Sequence, residues 1–75
     1  MTRYYMVEAR YWPVIGSTYT NTYIRFEKQK PDAVTFEKGA MIVHQAYFED
    51  PVEAEAYRQR MMVEFKGEAP NENLQ

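Results

Sequence analysis

His44 is the one side chain of this 75-residue chain whose ordinary titration lies near neutral pH. General acid–base chemistry would need a carboxylate or hydroxyl held beside it, and its neighbours Val43 and Gln45 supply neither. It falls in the core-facing register of an apolar stretch, so it reads as a structural histidine. A chain with one His and no Cys excludes thiolate zinc sites, disulfides and thiol nucleophiles. No G-x-S-x-G, no phosphate-cradling Gly loop and no H-E-x-x-H occurs. Glu49, Asp50 and Glu53 cluster, yet helix capping accounts for Asp50 and Glu53. The expectation is a protein that is not an enzyme, with no metal and no cofactor.

The chemistry that remains is recognition. Seven of the twelve aromatic residues lie in positions 1–30: Tyr4, Tyr5, Tyr11, Trp12, Tyr19, Tyr23 and Phe26. They fall on both faces of two strand-like segments, more than one small core absorbs. Exposed Tyr and Trp beside Arg is the usual composition of a binding surface. One row, Tyr4, Arg10, Trp12, Tyr19, Tyr23 and Arg25, shares the polar side of the first hairpin. The tip, Trp12-Pro13-Val14-Ile15-Gly16, carries large apolar side chains where a hairpin is normally polar, which makes Trp12 and Val14 candidate anchors. The ordinary readings are that Val14 and Ile15 fold back over the core and that the row is cross-strand packing. Two functional readings compete with these: a protein interface, and a platform on which single-stranded nucleic acid stacks.

Charge weighs between them. Residues 1–30 hold Arg3, Arg10, Arg25, Lys28 and Lys30 against Glu8 and Glu27, a local +3. Residues 31–75 hold Lys38, Arg58, Arg60 and Lys66 against nine acids, a local −5. The sequence pI near 5.3 is low for a nucleic-acid binder, whose affinity rests on phosphate neutralisation. A protein partner is therefore the first expectation.

The elements that position these residues follow from period and punctuation. Residues 2–12 alternate as a strand, with Tyr5, Val7, Ala9 and Tyr11 on the expected core face. Pro13 and Gly16 turn the chain. Residues 17–28 form a second strand, in which Ile24 and Phe26 mark the expected buried side. After a polar loop with a Pro31-Asp32 turn signal, residues 33–37 and 40–48 form a hairpin around Lys38-Gly39. The latter strand is apolar on both faces, as an interior strand requires. Asp50 as N-cap, Pro51 at the first helical position and Glu53 three residues on announce a helix. Ala54, Tyr57, Met61 and Phe65 form its buried stripe, Val52 and Ala56 its shoulder, and Met62 and Val63 widen the arc. The expected fold is α+β: a four-stranded mostly antiparallel meander with one C-terminal helix packed on one face. Residues 1–66 form a single domain and 67–75 a disordered polar tail.

A core of roughly 65 residues rarely supplies more than about 3–5 kcal/mol of net stability without staples, which favours a partner chain or a homodimer. No signal-peptide core, membrane span or Asn-X-Ser/Thr acceptor is present, so the expected setting is cytoplasmic. The segment Phe48-Glu49-Asp50-Pro51-Val52-Glu53-Ala54-Glu55-Ala56-Tyr57-Arg58, following a strand, resembles the second half of small ferredoxin-like domains. That resemblance implies a homodimer through the sheets with a small-molecule pocket between them; the missing first helix counts against it. The preferred expectation is a small protein-binding module that modulates or inhibits a larger host complex by occupancy. Proteins this small, cysteine-free and Tyr-rich are common among phage and mobile-element products aimed at transcription, restriction or CRISPR machinery.

Overall fold

The computed structural model describes residues 1–70. The far part of the expected tail, residues 71–75, lies outside the described residues. The chain forms β1 (Thr2–Trp12), β2 (Ser17–Glu27), β3 (Val34–Lys38), β4 (Met41–Phe48) and α1 (Pro51–Glu64). Neither β1 nor β2 contains Gly or Pro, so nothing interrupts their eleven-residue ladder, from Thr2 opposite Glu27 to Trp12 opposite Ser17. Gly16 takes a φ of 68° at the tip, and its N–H donates to the Trp12 carbonyl at 2.8 Å. Gly39, at φ 61°, turns the second hairpin.

The four strands make one antiparallel sheet in the order β2-β1-β4-β3. The two hairpins lie side by side, joined where β1 pairs β4 from Tyr5 opposite Phe48 to Tyr11 opposite Ile42. Residues 28–33 connect one edge of the sheet to the other, and Lys30, Pro31, Asp32 and Ala33 of this link line a small cavity of about 270 Å³ with Ala46, Tyr47 and Phe48. The expected α+β class, four antiparallel strands and single packed helix are what the structure shows. The apolar strand β4 is interior, as its two-faced hydrophobicity requires.

Helix α1 begins as its sequence dictates. The Asp50 carboxylate accepts from the Val52 N–H at 2.9 Å, with Pro51 next to the cap. On the outer face Glu55 accepts from Arg58 and Gln59, and these bonds hold its carboxyl well below the usual range, at about 2. The buried stripe is Ala54, Met61 and Phe65, with Tyr57 partly buried. Met61, Phe65 and Tyr57 pack together with Ala9, Tyr11 and Ile42. Val52, Ala56, Met62 and Val63, expected as shoulders of the stripe, are exposed instead. A helix lying on one sheet, with no further layer beside it among the described residues, buries only a narrow arc.

His44 locks the layers together. It is 2% exposed; its Nδ1 shares a hydrogen bond with Thr35 Oγ1 (2.8 Å) and its Nε2 with Tyr57 Oη (2.7 Å). One imidazole thus links β3, β4 and α1, and its ring packs against Phe65. The hydroxyls absent from its sequence neighbours come from Thr35 and Tyr57, and both ring nitrogens are engaged by them.

The helix axis runs from the end of β4 toward the Ser17 end of β2, where Thr18 Oγ1 donates to the Phe65 carbonyl and Arg58 Nη1 to Thr20 Oγ1. That direction corrects the reading of Ile24 and Phe26. They share the helix face, but lie beyond the helix and are 55% and 59% exposed.

The packed domain continues past residue 66, where the tail was expected to begin. Gly67 has φ 94°, and a Cβ there would lie 2.8 Å from Ile42 Cδ1 and 3.2 Å from Tyr11 Cδ2. Gly67→Ala is expected to cost about 1–3 kcal/mol in urea unfolding, through strain and collision together. An unchanged midpoint would show that the chain after Phe65 is not held against the sheet.

Candidate functional site

The face opposite the helix carries Tyr4, Met6, Glu8, Arg10 and Trp12 from β1, the side chains that alternation turns away from Val7 and Ala9. Register sets their neighbours. Arg25, Tyr23, Asn21, Tyr19 and Ser17 oppose them on β2. Tyr47, Gln45 and Val43 oppose Met6, Glu8 and Arg10 on β4. Among the described residues no helix covers this face, yet its centre is dry. Met6 is 0% exposed between Tyr23 and Tyr47, and Val43 is buried. Large side chains on the two flanking strands close over the middle of β1.

Tyr4 is the one row member that does not fit a contact surface. It is 4% exposed, with its ring edge-on to Tyr47 at 6.4 Å and 85°. It supports the face from within and is removed from the candidate contact residues. The reason is position: Tyr4 lies near the β1–β4 seam, with Tyr47 packed against it.

The remaining members are at the surface. Tyr19 and Arg25 are exposed; Arg10, Trp12 and Tyr23 are half-buried. At the tip Val14 is 92% and Ile15 72% exposed. The expectation that Val14 and Ile15 fold back over the core is overturned. The turn closed by Gly16 points both away from the sheet. Val14 also borders a shallow groove of about 220 Å³ with Pro13, Gly39, Ala40 and Met41, because both hairpin turns lie at the same end of the sheet.

The sequence reading missed two contributors. Val34 and Phe36 are exposed on the same face, since they oppose Gln45 and Val43. Alternation within residues 33–37 was the available signal, and only the strand order puts it on the face of Arg10 and Tyr19, across β4 from Arg10 and on the opposite edge from Tyr19.

A buried carboxylate sets the electrostatics. Glu8, 8% exposed, accepts from Arg10 Nε through Oε2 and from Gln45 Nε2 at 3.0 Å through Oε1. The hydrogen bond from Arg10 to Glu8, then the attraction between their charges, pushes the guanidinium pKa further up. Arg10 stays cationic, but its charge is matched inside the face. Among the described residues no group of three or more His, Asp or Glu is placed to hold a metal ion, and no helix is long and apolar enough to cross a membrane.

Comparison with protein-family profiles, curated proteins and solved structures finds no match in any of the three. The surface must therefore be read from its own chemistry.

Removing the carboxylate tests that reading. Glu8→Ala leaves the Gln45 amide and the Arg10 guanidinium without their shared acceptor, and should destabilise the fold by about 1–3 kcal/mol in chemical denaturation. A change within about 0.5 kcal/mol would mean that the triad is a solvated surface contact.

Proposed function

We propose that the open face and its tip bind another protein, and that the chain acts without catalysis, by occupying a surface of that partner. The observation that carries this reading is the number of exposed apolar and aromatic side chains that share one face and its tip. Val14 and Ile15 at the tip, Tyr19 on β2, and Val34 and Phe36 on β3 accompany the half-buried Trp12. Such residues serve as anchors when a partner desolvates them, and Arg at their margin adds specificity.

The charge pattern favours protein over single-stranded nucleic acid. Phosphate binding needs cations free to replace counterions. Arg10, at the centre of the row, is already paired with Glu8, which leaves Arg25 as the row's other cation. The finer reading, inhibition or redirection of a larger host assembly such as a transcription, restriction or CRISPR complex by a phage or mobile-element product, rests on size and composition.

Affinity capture from cell lysate, with and without nuclease, tests the proposal. One stoichiometric protein should remain after nuclease treatment, and its recovery should change little between about 50 and 200 mM salt. The double variant Val14→Asp/Ile15→Asp should weaken binding roughly 10- to 100-fold at unchanged unfolding midpoint, because both side chains already face water. Recovery that collapses on nuclease treatment would overturn the proposal in favour of nucleic acid.

A further inference from the structure

We infer that the free edge of β2 pairs with the same edge of a second copy, so that two sheets join into one of eight strands. The edge borders the row invoked above and draws on two of its members, Tyr23 and Arg25, but it is argued from backbone register and self-complementarity, and its test is read without any partner protein.

Edge strands are ordinarily short, or guarded by Pro, Lys or a bulge. β2 has eleven residues, all in unbroken register with β1, and contains neither Pro nor Lys. Its outward groups can be assigned. The Thr22 N–H donates to its neighbour's Asn21 Oδ1 at 2.9 Å, so it does not bond β1. In an antiparallel ladder the outward pairs recur every second residue, which places the N–H and C=O of Thr18, Thr20, Thr22, Ile24 and Phe26 on the free side. Exposure concentrates at the same end: Ile24, Arg25 and Phe26 are consecutive exposed residues, beyond the reach of α1.

The side chains then select the register. A two-fold axis through Ile24 keeps residues 21–27 of both copies within strand and meets four demands at once. On the helix face Ile24 lies against the partner's Ile24, and Phe26 against the partner's Thr22, which joins the exposed apolar ends. On the open face Tyr23 lies opposite the partner's Arg25, a cation over a ring. Asn21 lies opposite the partner's Glu27, a donor facing a carboxylate. These last two are non-hydrogen-bonded pairs, in which side chains approach most closely. Pairing would also free Asn21 from capping its own strand, since the Thr22 N–H gains the partner's Phe26 carbonyl. Shifting the axis to Arg25 opposes like charges; shifting it to Thr22 sets Ile24 against Thr20. The self-complementarity of residues 21–27 is what commits the occupant to a second copy. Because such an axis is perpendicular to the sheet, both open faces would lie on the same side, and the dimer would present the partner-binding surface twice.

The test is the oligomeric state of the full chain. Sedimentation equilibrium should give a dimer at concentrations of about 200 µM. Ile24→Lys places two cations on the axis and should weaken the dimer at least roughly 100-fold. The same protein must keep a cooperative unfolding transition, since Ile24 already faces water in one copy. Register is read separately with Asn21→Cys/Glu27→Cys. The native chain has no cysteine, so mild oxidation should give a covalent dimer closed by bonds between position 21 of one copy and 27 of the other. A chain that stays monomeric at about 200 µM overturns the inference, as does a dimer indifferent to Ile24→Lys.

Discussion

Everything in this small fold depends on β1 being paired along both edges. Eleven residues of β2 and seven of β4 satisfy its backbone, and that makes it the one long interior strand. An interior strand in a two-layer protein would normally bury one face under the helix and wet the other. Here Val7 and Ala9 are buried below α1, while Met6, Tyr4 and Glu8 are buried on the opposite side by neighbours from β2 and β4. The sheet therefore has a core on both sides, one closed by a helix and one by its own side chains. That second core accounts for a 75-residue chain without disulfides holding a defined surface on its uncovered face.

Glu8 turns that packing into surface chemistry. A buried carboxylate must be paired or hydrogen-bonded, and Arg10 and Gln45 do both. The consequence is that the cation most central to the aromatic row is compensated from below. The surface so presented is rings and aliphatic groups with charge at the margin, the composition on which the proposed protein contact rests. The tip extends the same surface, because Gly16 closes a turn that leaves Val14 and Ile15 no core to fold into.

Much of the fold was legible in the residues, for reasons that are local. Period-two alternation, two turns built on Gly and the Asp50-Pro51 cap each belong to a few consecutive residues, so their elements emerged nearly residue for residue. The strand order did not, because pairing β1 with β4 is a decision between segments some forty residues apart. The errors descend from that. Ile24 and Phe26 carry the period of a buried face, but the helix direction leaves them bare. Tyr4 carries the period of a wet face, but Tyr47 packs against it. Val34 and Phe36 join the open surface because the expected β3–β4 hairpin is laid against β1 through β4. The ends of an amphipathic pattern show the same limit: Val52 and Val63 have the right spacing for burial and no neighbouring layer to meet.

Site-specific photo-crosslinking tests the central claim most directly: that the face opposite the helix, with its tip, is where a protein partner sits. A benzophenone side chain would replace Tyr19 in one sample and Val63, on the exposed back of α1, in another. Irradiation in lysate should yield one nuclease-resistant protein adduct from position 19 and none of that mass from position 63. The same adduct from position 63, or one from position 19 that nuclease removes, would contradict the account.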